Sequence, residues 1–165
     1  MNKLFMGMKS KLFVLLIAIA ALQGCVHVPV ATIGSEAAKE TMSFSAAKDE
    51  SVVYLYWDPS SDYKGFAEDV SFNDKYTVTT LSNSLGRVVL KPGKYNVLIE
   101  LPEMTASNKM YALNAEAGKV YFLRMKLRSR IMIGGVTTLT PVKNSEALSF
   151  LHSNMLTLLV PKHFK

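Results

Sequence analysis

The amino-acid sequence predicts a mainly β protein, an antiparallel β-sandwich of about seven to nine strands with one or two short helices. Three observations support this fold class. Apolar residues recur with a period of two over much of the chain beyond residue 51, as in strands with one buried face. Turn-forming pairs such as Pro92-Gly93 and Ala117-Gly118 separate these segments. No long helical segments alternate with them, which argues against a parallel α/β sheet.

The strands follow from the pattern in chain order. Residues 52–57 are apolar on both faces and predict a central strand. Residues 94–101 and 121–130 alternate between two kinds of side chain, and each segment predicts an antiparallel strand with one solvated face. We expect further strands at residues 70–72, 76–78, 87–91, 109–114, 131–139 and 155–160.

Turn residues connect the predicted strands. Asn73-Asp74 suits a two-residue hairpin turn between the predicted strands 70–72 and 76–78. Pro92-Gly93 suits a turn in which the glycine adopts a positive φ. Gly134-Gly135 is expected to form a further connection.

Two short helices are expected. Ser35 is a suitable N-cap for a helix over residues 35–40, which we expect to dock through Met42 and Phe44. Asn144 is a suitable cap for a second helix, which passes through Ala147 and Leu151 and ends near His152.

Residues 1–24 have the order of a secretory signal peptide. Lysines at 3, 9 and 11 are followed by an uninterrupted apolar run of eleven residues, Leu12 to Leu22. Since a helix that crosses a bilayer needs about 20 apolar residues, we do not expect a permanent transmembrane span. The run ends in Leu22-Gln23-Gly24-Cys25, which resembles the lipobox of bacterial lipoprotein precursors.

The lipobox resemblance implies that the Cys25 thiol carries a diacylglycerol thioether with palmitate-type acyl chains. Two or three such chains give stable membrane anchoring, whereas one is marginal. The alternative is that Cys25 is a buried apolar residue or a chance neighbour of an ordinary cleavage site. Because it is the only cysteine, no intramolecular disulfide is expected. Val26, rather than Asp, follows Cys25, which implies a lipid anchor on the periplasmic side of the outer membrane.

The charge of the chain depends on the signal peptide. The whole chain has a net charge of +6, whereas the chain from Cys25 onward has sixteen cations and thirteen anions and a net charge of +3. This modest excess argues against nucleic acid as a partner. We expect three parts, the signal peptide 1–24, the lipidated Cys25 with a tether over 25–50, and a β-sandwich domain over 51–165.

The body resembles a family of bacterial lipoproteins of uncharacterised function that consist of a single β-sandwich domain. The resemblance runs from about Ala38 to Ala147. It rests on five phrases in order, Ala38-Lys39 with Phe44, Tyr54-Leu55-Tyr56, the hairpin 70–78, Pro92-Gly93-Lys94-Tyr95 and Ala117-Gly118-Lys119-Val120-Tyr121-Phe122. Trp57 stands where the family has Arg, and the hairpin lacks the family's Gly. The resemblance implies a fold and a location but no catalytic residues.

The residues give no pattern for enzymatic chemistry, a metal or a cofactor, so we expect a non-enzymatic protein. No Gly-x-Ser-x-Gly phrase or phosphate-binding glycine loop occurs. His27, His152 and His163 lack metal-ligand spacing. Asp58 and Asp62 suit an exposed turn, with a Ca²⁺ or glycan-binding loop as the alternative.

Aromatic residues in the first predicted strand have two interpretations. Tyr54, Tyr56 and Trp57 could form a sugar-stacking platform, but their place in an all-apolar strand favours packing in the core.

A row of basic residues is the candidate binding site. Arg124, Lys126, Arg128 and Arg130 are spaced by two, which places them on one strand face at intervals of about 6.6 Å. Such a row can contact several anionic groups, on an envelope component or on a protein partner. The alternative is a solvated face whose charges discourage strand pairing.

These observations predict a lipid-anchored protein with a binding or structural accessory role in the cell envelope. A small-ligand carrier or envelope-stress sensor is the alternative, and it would need a cavity between the sheets.

Overall fold

The computed structural model describes residues 28–61, 67–100, 110–130 and 134–164. The signal peptide, Cys25 and Asp62 lie outside these ranges. The described chain is mainly β, with two sheets and two helices, as the sequence predicts. The helices are α1 (Glu36–Thr41) and α2 (Asn144–Ser153). The strands are β1 (Ser51–Trp57), β2 (Ala67–Phe72), β3 (Tyr76–Leu81), β4 (Ser84–Leu90), β5 (Gly93–Glu100), β6 (Tyr111–Ala115), β7 (Val120–Arg130), β8 (Gly134–Val142), β9 (Thr157–Leu158) and β10 (Lys162–His163).

One sheet is mixed, which corrects the expectation of antiparallel pairing throughout. Its strand order is β10-β4-β1-β7-β8, and β9 also pairs with β4. β1 is antiparallel to β4 but parallel to β7, and β9 and β10 both run parallel to β4. Parallel neighbours need a long crossover. The chain between β1 and β7 supplies one, because it forms all of the other sheet before it returns.

The second sheet has four strands in the order β3-β2-β5-β6 and is antiparallel throughout. The described strands number ten rather than seven to nine, and β9 and β10 have only two residues each.

β1 is the central strand, as predicted, and all seven of its residues are buried. Val53, Leu55 and Trp57 belong to a core cluster that draws side chains from both sheets. Thr80 on β3 links the sheets at this point, since its hydroxyl lies 3.2 Å from the Trp57 Nε1 donor. The alternate residues of β1 face the other way, into a second cluster.

The second cluster lies on the outer face of the six-stranded sheet. Tyr54 on β1 stacks on Phe122 of β7, with ring centroids 5.1 Å apart. Helix α2 covers this face through Ala147 and Leu151, both buried. The alternation along residues 121–130 puts Phe122 on the same face as Arg124 and Lys126, which the sequence predicts to be solvated. Helix α2 instead buries Phe122 to 2% exposure.

Helix α2 ends where the sequence predicts but is capped differently. Lys143 is the N-cap residue, in an extended conformation and without a side-chain cap bond, so Asn144 is already the first helical residue. The predicted cap at Asn144 is therefore wrong. The helix ends at Ser153, close to the predicted end at His152.

Residues 28–50, the described part of the expected tether, pack against the six-stranded sheet. Val30 forms an antiparallel bridge with Leu159. Helix α1 begins after Ser35, whose side chain accepts a hydrogen bond from the Ala38 amide, and this confirms the predicted N-cap. Phe44 packs on Tyr54 at 5.2 Å as expected.

Met42 does not dock, because it is 42% exposed. The Thr41 hydroxyl, which is buried, instead donates to the carbonyl of Leu159 at 3.0 Å.

A buried arginine joins α1 to β4. The Arg87 guanidinium donates to Glu40 at 2.6 Å and to the Ser45 carbonyl at 3.1 Å. His163 of β10 also reaches Glu40, at 2.9 Å. This set of contacts ties the segment before β1 and the end of the described chain to the same strand.

The turns agree only in part with the sequence. Asn73 and Asp74 both have positive φ, 56° and 53°, but Lys75 adds a third residue to the predicted two-residue loop. Gly93 has no positive φ and begins β5, so that expectation is wrong. Gly134-Gly135 lies within β8 rather than in a connection. Gly118, in the predicted Ala117-Gly118 turn, has φ of 71°.

Gly118 and Gly93 provide a matched pair of substitutions. Gly118→Ala should lower the free energy of unfolding by about 1–2 kcal/mol, because a residue with a Cβ is strained at positive φ. Gly93→Ala should have a much smaller effect, since its Cβ would meet the Tyr95 ring at an ordinary 3.6 Å. Urea unfolding measures both, and equal losses of stability would contradict this assignment.

Candidate functional site

The predicted basic row lies on the outer face of β7, beyond the part covered by α2. Arg124, Lys126 and Arg128 project there, and in the register of the sheet they lie opposite Thr140, Thr138 and Val136 of β8. Together these six residues line an open groove of about 610 Å³, to which Asp58 and Leu139 also contribute. We call it the basic groove. Arg130 ends β7, but its side chain lies outside the described part of the structure.

The three described cations differ in their partners. Arg124 lies 3.5 Å from Glu146 of α2. Lys126 lies 2.7 Å from the Ser60 hydroxyl and 3.7 Å from the Asp58 carboxylate. Arg128 is exposed and has no ion pair with any residue in the described ranges. Among the described residues, Arg128 is thus the cation of the groove without an ion pair, whereas Arg124 and Lys126 lie 3.5 and 3.7 Å from carboxylates.

The turn after β1 forms one wall of the basic groove. The amide and hydroxyl of Ser60 donate to the same Asp58 oxygen at 2.9 and 2.6 Å. The Asp58 amide donates to the Met125 carbonyl at 2.8 Å and fixes this turn against β7. Asp58 thus begins a turn, as the sequence predicts, but its side chain is only 16% exposed rather than solvated.

The groove lowers the pKa of Asp58. Burial alone would raise it, but the Ser60 hydrogen bonds and the charges of Lys126 and Arg124 hold the pKa below its usual value. Asp58 is therefore ionised at neutral pH. It neutralises part of the positive charge and competes with any anion that approaches Lys126.

Tyr56 lies beneath the end of the groove, beside Arg124. Burial raises the pKa of Tyr56 to about 12, against the opposing Arg124 charge and with additional contributions from Glu146 and Asp58. The phenol is neutral under physiological conditions. It contributes no anion to the site and packs against Phe150 of α2 at 5.2 Å.

The chemistry of the basic groove is that of an anion site. Guanidinium and ammonium groups bind phosphate or carboxylate, and arginine does so through a planar fork of donors. Thr140 adds a hydroxyl group on the β8 side, whereas the Thr138 hydroxyl donates to the Lys126 carbonyl at 3.3 Å. Among the described residues, no group of three or more His, Cys, Asp or Glu side chains could hold a metal ion.

The other candidates of the sequence analysis lie elsewhere. Tyr54, Tyr56 and Trp57 are each at most 1% exposed, which is packing in the core rather than a sugar-stacking platform. His152 packs near the Phe44 ring at 6.3 Å, and His163 contacts Glu40. None of the described histidines reaches the basic groove.

Sequence reasoning missed a buried carboxylate between the sheets. Glu68 of β2 accepts a hydrogen bond from Thr137 of β8 at 2.6 Å, and its second oxygen is buried without a partner. Burial raises the pKa of Glu68, although the hydrogen bond from Thr137 opposes this. The one feature of the sequence that could have indicated this buried carboxylate is the position of an acid, Glu68, near the start of a strand.

We compared the chain with protein families, curated proteins and solved structures. No protein-family model, curated protein or solved structure matches the chain. The resemblance to the β-sandwich lipoprotein family therefore stays a prediction. In the described ranges, no helix is both long and apolar enough to cross a bilayer.

The lowered pKa of Asp58 predicts a pH-dependent contribution to stability. An ionised Asp58 stabilises the folded state above the unfolded pKa of about 3.9, and this contribution disappears as the pH falls through the lower folded pKa. Asp58→Asn should thus cost about 1 kcal/mol at pH 7 and nearly nothing below both pKa values.

Urea unfolding, followed through the fluorescence of Trp57, the only tryptophan, measures this difference. Asp49→Asn, at an exposed position, is the matched control. A gap between wild type and Asp58→Asn that stays constant down to the lowest pH would contradict the assignment.

Proposed function

We propose that this protein is a lipid-anchored β-sandwich on the periplasmic side of the outer membrane, where it binds an anionic envelope partner without catalysis. The basic groove is the observation that carries the proposal. The lipobox-like Leu22-Gln23-Gly24-Cys25 supports the anchor. The core cluster to which both sheets contribute supports the sandwich.

The groove fits a partner that carries several anionic groups. Successive cations of β7 are about 6.6 Å apart, so a single small anion cannot contact all of them. Arg128 has no ion pair within the described residues, Arg124 lies 3.5 Å from Glu146, and Lys126 lies 3.7 Å from Asp58 and donates to the Ser60 hydroxyl at 2.7 Å. A partner with phosphates or carboxylates at similar spacing would replace these contacts.

The space between the sheets favours this binding role over a carrier. Sixteen buried side chains of the described residues form the shared core, and each is at most 9% exposed. A carrier needs a cavity with a few convergent polar groups. The basic groove lies instead on the outer face of one sheet. A cavity lined by β3 and β4 of the two sheets is smaller, at about 220 Å³.

Removing the four positive charges of the basic row should weaken the binding of anionic polymers. In the full-length protein in neutral detergent, Arg124, Lys126, Arg128 and Arg130 all changed to Gln should weaken binding to inorganic polyphosphate or poly-glutamate by about tenfold or more at low salt. The wild-type affinity should also fall as salt is added, because screening shortens to about 8 Å at physiological ionic strength.

Two further variants test whether binding depends on the basic groove itself or only on the net charge of the protein. Changing the exposed Lys75, Lys91, Lys94 and Lys119 to Gln removes the same charge elsewhere and should leave most of the affinity. Asp58→Asn should strengthen binding, because it releases Lys126. If the two fourfold variants bound equally well, the basic row would be a solvated face without a role in binding.

The anchor has its own test. Cys25→Ser should abolish incorporation of radiolabelled palmitate and leave uncleaved precursor in the cell. Normal labelling and processing of this variant would contradict the assignment of Cys25.

A further inference from the structure

Two neighbouring segments form an edge without charge. Residues 28–34 run beside residues 154–161, and neither segment contains a charged residue. The bridge between Val30 and Leu159 and the hydrogen bond from the Ala31 amide to the Leu158 carbonyl, 2.8 Å, hold them antiparallel. The Val160 amide donates to the Pro29 carbonyl at 3.1 Å. We call these two segments the apolar edge.

The apolar edge exposes large hydrophobic side chains. Ile33 is 93% exposed, Met155 is 95% exposed and Val30 is 50% exposed. Ile33 occupies a turn closed by the Ser35 amide and the Thr32 carbonyl, and the antiparallel pairing places it at the same end of the edge as Met155. Exposed apolar groups that gather at one place mark an interaction surface more often than scattered ones do.

The distance to Cys25 indicates what lies against this edge. Only three peptide links separate Cys25 from Val28, and consecutive Cα atoms are about 3.8 Å apart, so the two residues are at most about 11 Å from each other. Val28 is already part of the fold, with 9% exposure. The headgroup layer of a bilayer takes up about 5–8 Å on each side. A lipid on Cys25 therefore holds the Val28 end of the apolar edge within a few ångströms of the headgroup layer, and the exposed Ile33 and Met155 at the other end favour an edge that lies flat on that layer.

We propose that the apolar edge rests on the bilayer that holds the Cys25 lipid, with Ile33 and Met155 in the headgroup layer. This inference depends on the proposed lipid anchor. Lys162 directly follows the edge in sequence, and its long side chain can keep the ammonium group among headgroup phosphates. The occupant is the lipid surface, because the short connection brings that surface to the edge without a further partner.

The single cysteine of the chain allows a direct test. With the Cys25 thiol bound to lipid, Ile33→Cys, Met155→Cys or Met110→Cys supplies the only free thiol for an environment-sensitive fluorophore. Met110 is the matched control, since it is also an exposed methionine, at 60%, and precedes β6 of the other sheet. Each full-length lipoprotein is reconstituted into phosphatidylcholine vesicles with and without spin-labelled lipid.

The expected result is strong quenching of the label at 33 and 155 by spin-labelled headgroups, and little quenching at 110. Equal quenching at the three positions would overturn the proposal. The proposal would also be overturned if the label at 33 reported an apolar environment that depended on protein concentration and if spin-labelled lipid did not quench its fluorescence. That result would assign the edge to contact with a second copy of the chain.

The parent protein separates this outcome from a failure of the anchor. Without an introduced cysteine, it should take up no fluorophore and should float with the vesicles. Labelling of Cys25 itself would contradict the proposed function. A correctly anchored protein with an unquenched label at 155 would contradict only the placement of the apolar edge.

Discussion

The structure depends on the burial of β1 from both sides. A strand with seven buried residues needs an apolar cover above and below. The four-stranded sheet covers the side with Val53, Leu55 and Trp57, and α2 together with residues 28–50 covers the side with Tyr54 and Tyr56. Arg87 holds part of this second cover in place, because leaving a buried guanidinium without Glu40 would be costly.

The basic groove exists because the second cover is incomplete. Helix α2 has ten residues and packs on the part of the outer face that contains Phe122 and Tyr56, with Glu146 reaching as far as Arg124. Beyond that point the outward residues of β7 change from aromatic to basic, at Arg124. The same face of one sheet therefore contains a packed apolar half and an open cationic half, and the end of the helix separates them.

The sequence predicts the local features of this fold better than its long-range ones. Periodicity locates β1, β5 and β7, and the hydrogen bond to Ser35 confirms the predicted cap of α1. The residue pattern does not predict the parallel pairing of β1 with β7, because this pairing depends on which strands, distant in sequence, become neighbours in the sheet. For the same reason the pattern placed Phe122 in solvent and could not show that Asp58 and Glu146 reach the predicted cations.

The strand order of the six-stranded sheet has a consequence for the proposed anion binding on the periplasmic side of the membrane. The apolar edge contains β9, and three strand spacings, about 14 Å, separate β9 from the cations of β7. This distance exceeds the screening length of about 8 Å at physiological ionic strength. The phospholipid charges of the leaflet under the protein would thus contribute little to the attraction in the groove. With the proposed placement, the groove would bind anions that approach from the aqueous compartment and would be insensitive to the lipid composition of the membrane that holds the anchor.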